Sequence, residues 1–199
     1  MLAVLATCAA AALLAAGCSR DESAAERIER LRASEDVEAL AREAASIEPN
    51  TSRLAVRALG HIGPRAAPKI QAALADSRSE IREEAVVILP RVSPREAAGQ
   101  LAAVVQSDPS PEVRGAAATT LGHMIAIDEM DSLLAAVEDP EPMVRQRAAR
   151  AITKIIGREY ELHVNGTPEE RRQAVAGLRA SWPSLEPAVR SYYKRPANP

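Results

Sequence analysis

The sequence predicts an all-α protein, an α-solenoid of about four helix pairs closed by a C-terminal helical cap. Three observations carry this. Ala is abundant throughout, Phe is absent, and β-branched runs with period-two alternation are missing, so helix is favoured. A segment of about thirty residues recurs, and within each copy the apolar residues fall at helical spacing. At 199 residues the chain is long enough to bury a real core as one domain. The formal net charge of −2 argues against a polyanionic partner, and no nucleic-acid binding is expected.

The first seventeen residues, MLAVLATCAAAALLAAG, carry no charged side chain and run directly into the polar CSRDESAAERIER. A membrane-spanning helix needs about 20 apolar residues, so residues 1–17 read as a secretory signal peptide. The cut point LLAAGC resembles the lipobox of bacterial lipoproteins. The resemblance implies that Cys18 becomes the first mature residue and carries diacylglycerol, its sulfur being the nucleophile that accepts the lipid. An ordinary cleaved signal and an uncleaved anchor are the alternatives. Cys8 would leave with the signal, and a single remaining Cys permits no intramolecular disulfide. Lipid anchoring would place the protein in the bacterial cell envelope, facing the periplasm. Ser19 after the Cys points to the outer membrane under enterobacterial sorting rules.

Residues 18–33 are expected to begin as a tether and to become helical towards Leu31. The repeats occupy residues 34–157. DSRSEIREEAVVILPRV (76–92), DPSPEVRGAAATTLGHM (108–124) and DPEPMVRQRAARAITKII (139–156) align without gaps. Asp76, Asp108 and Asp139 fall in one column, and Arg82, Arg114 and Arg145 in another. Ala85, Ala117 and Ala148 follow, then Leu89, Leu121 and Ile152, then Val92, Met124 and Ile155. A weaker copy, SIEPNTSRLAVRALGHIG (46–63), matches at Ala55, Leu59 and Ile62 but lacks the Asp and Arg.

Each copy reads as the second helix of a pair. The preceding helix sets Leu40 with Ala44, Ile70 with Leu74, Leu101 with Val105, or Leu133 with Val137 on one stripe. Asp-Pro stops that helix, because the residue before Pro avoids the α region. Ser79 and Ser110 are placed as N-caps of the next helix, with Pro111 and Pro142 in its first turn. Neither helix of a pair can bury its stripe alone, and stacked pairs bury a continuous core.

From about Ser34 to Gly157 the sequence resembles HEAT repeats, in the short bacterial form also seen in phycobilisome-lyase-type proteins. The resemblance implies that the Asp and Arg columns form a structural hydrogen-bonded ladder along the turns, here Asp76 with Arg82, Asp108 with Arg114 and Asp139 with Arg145. It also raises a rival function, a lyase-like enzyme or chaperone for attaching a linear tetrapyrrole. Fold alone does not carry that function.

Residues 158–199 are expected to hold capping helices and a tail. Asn165-Gly166 signals a turn, and Thr167, Pro168, Glu169 and Glu170 open a helix with cap, Pro and acids in the favoured order. Arg171, Ala174 and Leu178 then repeat the spacing of a second helix, and YYKRPANP is expected to be loose. Trp182, Tyr160, Tyr192 and Tyr193 are either the filling of the cap or an exposed hot spot.

No phosphate-cradling loop and no His or Cys cluster with ligand spacing occurs, so neither a cofactor nor an enzyme activity is expected. One column stands out. His61, Arg91, His123 and Lys154 occupy the same position in four copies and would form a basic stripe along the inner, second-helix face, extended by Arg57 and Arg150. Such cations either complement the helix dipole at the last turn or meet an acidic segment of a protein partner. The sequence is thus expected to encode a monomeric, non-catalytic protein-binding or scaffolding module, or else a permanent structural subunit of an envelope complex.

Overall fold

Side-chain chemistry at the helix ends sets the frame of the molecule. The computed structural model describes residues 22–194; Cys18 and the signal segment lie outside these described residues. Ten α-helices follow in order: α1 (Ala24–Ala33), α2 (Val37–Ala44), α3 (Pro49–Ile62), α4 (Ala67–Ala73), α5 (Ser79–Val92), α6 (Ala97–Ser107), α7 (Pro111–Met124), α8 (Met130–Ala136), α9 (Pro142–Ile156) and α10 (Pro168–Lys194). Single 3-10 turns at Pro64–Ala66 and Ile127–Glu129 lead into α4 and α8.

The four pairs α2/α3, α4/α5, α6/α7 and α8/α9 form an α-solenoid. The second helices α3, α5, α7 and α9 pack successively on one another, whereas among the first helices α6 and α8 alone make substantial contact in the described residues. A double row that touches on one side and splays on the other curves with the touching row inside. The repeat columns form the core between the rows: Ala55, Ala85, Ala117 and Ala148 are fully buried, as are Leu59, Leu89, Leu121 and Ile152. In the last column Val92 and Ile155 are buried, while Ile62 and Met124 are half-buried.

Small residues bring the inner helices close together. A Cβ built on Gly122 of α7 would lie 2.7 Å from the Ala151 Cα of α9, and one on Gly115, two turns earlier, 2.8 Å from the Arg147 Cδ. Only glycine permits this backbone approach at position 122.

Three local expectations are corrected. Helix α1 begins at Ala24 rather than near Leu31, because Ser23 and Glu26 form a capping box in which each side chain accepts the other's backbone N–H. It packs on α3 and heads the inner row, burying Ile28 and Leu31. Ser79 is not the N-cap of α5; Arg78 occupies that position, and Ser79 is the first helical residue. The C-terminal unit is one helix of 27 residues, with Tyr192, Tyr193 and Lys194 inside it and not in a loose tail. Thr167 and Glu170 form its capping box. Pro183 and Pro187 sit within α10 on exposed positions, so the loss of their donors leaves no buried group unsatisfied at those sites.

Helix α10 docks by Val175, Leu178 and Val189, which are buried, and by half-buried Trp182 and Leu185. Arg179 bonds Asp131 at 3.2 Å, and Arg190 bonds Asp128. Trp182 and Tyr160 pack against the core, while Tyr192 and Tyr193 are exposed and meet edge to face at 5.1 Å between ring centroids, the Tyr193 hydroxyl donating to the Lys154 carbonyl at 2.7 Å.

Candidate functional site

Two constellations recur along the solenoid, one at the turns and one on the inner face. At the turns, each Arg links two repeats. Arg82 donates from Nε and Nη2 to the Asp108 carboxylate, both at 2.8 Å, and from Nη1 to the Asp76 and Ser77 carbonyls. Arg114 grips Asp139 in the same way at 2.8 and 2.9 Å and bonds the Asp108 carbonyl at 2.8 Å. The carboxylate partner is therefore the next repeat's Asp, and a repeat's own Asp contributes its backbone carbonyl. Asp108 and Asp139 also accept the N–H two residues on, from Ser110 and Glu141 at 2.9 Å. Planar bidentate pairs of this kind fix both distance and angle between repeats.

The ladder ends differently at each side. Ser46 and Ser52 stand where the first copy lacks Asp and Arg, and Arg78 reaches back from the second pair to fill the gap. It bonds Asp76, the Ser46 and Ala44 carbonyls and the Ser52 hydroxyl at 2.7–3.0 Å. At the far end Arg145 finds no carboxylate and donates to the Val164 carbonyl at 2.8 Å. Burial by itself would raise the Asp108 carboxyl, but hydrogen bonds from Arg82 and the Ser110 N–H outweigh it and hold Asp108 below the ordinary value. The Arg78 guanidinium holds Asp76 low as well.

On the inner face, His61, Arg91, His123 and Lys154 are all exposed, as are Arg57 and Arg150. The structure brings together only three of the six. His123, Arg150 and Lys154 line a groove of about 510 Å³ that crosses α5, α7 and α9, together with Glu83, Val87, Ala116 and Arg147. Arg150 and Lys154 also line a second hollow of about 770 Å³ between α9 and the segment around Tyr160. Arg57 is not a free cation: its Nε bonds the Glu84 carboxylate at 2.7 Å, with Arg53 at 3.9 Å from the same group. His61 and Arg91 lie further along the same face, with Arg91 packed beside Gly60.

Arg147 is the groove residue that column reasoning missed, since its repeat position holds Glu84 in α5 and Ala116 in α7. Among the described residues Arg147, Arg150 and Lys154 make no salt bridge, whereas the ladder arginines are all engaged. Three unpaired cations above a floor of Val87, which is 57% exposed, and Ala116 can hold an anionic segment that also covers apolar surface. Within the described residues no three His, Cys, Asp or Glu side chains gather where a metal ion could be held, and no helix is long and apolar enough to cross a membrane.

No curated protein matches the chain. Among solved structures it is similar to a designed armadillo repeat protein, YIII(Dq)4CqI, at 17% identity and a TM-score of 0.46, over 84% of this chain and 86% of that one. The HEAT repeats family matches residues 37–122 and 100–181, which together span all four helix pairs and the first half of α10. With this match over a ladder of repeat-to-repeat Arg–Asp pairs, the chain belongs to the HEAT repeats family.

Proposed function

We propose that the chain is a non-catalytic protein-binding or scaffolding module, tethered to a bacterial envelope membrane through lipid on Cys18, that holds an acidic segment of a partner in its inner-face groove. The repeat fold supports a protein-interaction role. The observation that carries the acidic partner is the trio Arg147, Arg150 and Lys154, unpaired in one groove beside His123 and above exposed Val87. The lipobox-like LLAAGC supports the tether, and Ser19 supports the outer membrane facing the periplasm. More than one acyl chain anchors a protein stably, and anchoring confines its search for a partner to a surface.

The test is a crosslinking pull-down from membranes. Wild type captures a partner that Arg150→Glu with Lys154→Glu loses, and raising the salt concentration weakens capture because steered ionic contacts are screened. Cys18→Ser moves the protein from the membrane to the soluble fraction. Capture that is unchanged by charge reversal overturns the groove assignment; Cys18→Ser protein that stays membrane-bound overturns the tether.

A further inference from the structure

The break in the repeat after Gly157 leaves a strand-like stretch with no strand beside it among the described residues. Apolar and polar residues alternate from Glu159 to Val164: Tyr160, Leu162 and Val164 pack on the core, while Glu159, Glu161 and His163 are exposed. From Glu159 to Leu162 this is the period of a β-strand set into an otherwise helical chain, and His163, at a φ of +46°, turns the backbone out of it. Among the described residues no backbone N–H from Arg158 to Val164 donates to another protein group, and no carbonyl from Arg158 to Leu162 accepts. The His163 and Val164 carbonyls are already taken, by Gly166 and Arg145. A short stretch whose main-chain groups find no partner among the described residues is a template for a further strand.

The larger of the two hollows, about 770 Å³, lies directly beside this stretch. Arg150, Thr153 and Lys154 of α9 form one wall, and Glu159, Tyr160, Glu161 and Val164 form the other. Among the described residues no inner helix follows α9 to fill the space, and from α10 the Tyr193 hydroxyl donates to the Lys154 carbonyl at 2.7 Å. Although the walls carry opposite charges, no salt bridge joins them in the described residues, as Glu161 lies 3.6 Å from His163 instead.

We propose that this hollow takes an extended acidic peptide, which pairs with residues 159–162 through main-chain hydrogen bonds and sets its carboxylates on Arg150 and Lys154. The proposal rests on the protein-binding reading above and supplies the way in which the α9 end of the inner face grips its partner. An extended occupant is required because its own N–H and C=O groups are free, whereas a helix has already satisfied them internally. Alternation then sorts the side chains. One set turns down to the cations of α9, and the other lies beside Glu159 and Glu161, where carboxylates are repelled and neutral residues are accepted.

The experiment titrates the full chain with an acetylated, amidated hexapeptide alternating Glu and Thr, and reads hydrogen exchange at the amides of residues 159–162. Binding slows exchange at alternate amides of this stretch. Two further peptides carry N-methyl groups on the Glu or on the Thr residues. One of the two loses about tenfold or more in affinity and the other binds nearly as before, since only one edge of the peptide faces the protein. Equal loss for both methylated peptides, loss for neither, or no binding of the parent peptide at millimolar concentration overturns the proposal. Binding that Arg150→Glu abolishes while these amides stay unprotected overturns strand pairing and leaves the acidic-groove reading standing. Binding with protected amides that survives Arg150→Glu with Lys154→Glu overturns the role of the two cations in both.

Discussion

The two ends of the inner face begin from the same repeat position and arrive at different chemistry. Arg57 on α3 is followed by α5, whose Glu84 meets its Nε at 2.7 Å; Arg150 on α9 is followed by no inner helix among the described residues. The same contrast runs along the turns. Rungs between the later repeats are bidentate and nearly closed to solvent, with the Arg82 and Asp108 side chains 10% and 6% exposed, while at the first turn Arg78 and Asp76 keep 29% and 23%. A position in a repeat therefore does not fix the behaviour of its residue, because the neighbouring repeat decides whether the charge is matched.

The largest expected effect tests the rungs. Asp108→Ala strands the buried Arg82 guanidinium and should lower stability by about 3–5 kcal/mol in a denaturant melt. Asp76→Ala, at the more open end, should cost roughly 1–2 kcal/mol. Equal losses would break the comparison.

Close packing should differ between the ends as well. Gly122→Val drives a side chain into the Ala151 backbone of α9, for an expected loss of about 1–3 kcal/mol. At Gly60 the obstruction is the Ile88 side chain, 2.6 Å from a built Cβ, which can turn aside. Gly60→Ala should thus cost less than Gly122→Val, with melting temperature as the readout.

Acid should weaken the molecule by way of the rungs. Asp108 and Asp76 titrate below the ordinary value of 3.8 when folded, so their contribution is complete above that pH and fades as pH falls through the lowered values. In Asp108→Asn the stability at neutral pH is lower and its slope with pH below about 4 is shallower. An unchanged slope would show that the carboxylate is not what acid titrates.

The smallest effect sharpens the inner-face contrast. Arg57 is 53% exposed, and Arg57→Ala should change stability by less than about 1 kcal/mol. It should also leave acidic-peptide binding intact, whereas Arg150→Ala should reduce it. Parallel loss in the two variants would mean that the whole face acts as one stripe.

The helix pairs and their core were legible because burial imposes a period, and Ala117, Leu121 and their counterparts recur at that period. The candidate groove was legible in part. His123, Arg150 and Lys154 share columns with other cations, but Arg147 has no charged counterpart of its own sign, so no column announces it. Arg78 escaped for the same reason: its position holds Ser110 and Glu141 in the later copies, and its role exists only because Ser52 leaves a vacancy one repeat earlier. The start of α1 was readable in Ser23 and Glu26, whereas the length of α10 was not, since Pro183 and Pro187 are stop signals that an exposed helix face tolerates.

The way the ladder ends decides what each end can offer to a second copy. A row with a spare Asp at one end and a spare Arg at the other would be complementary to itself, head to tail, and copies could add into an open filament. Arg78 occupies Asp76, and the Val164 carbonyl occupies Arg145, so neither end offers the other an unfilled rung.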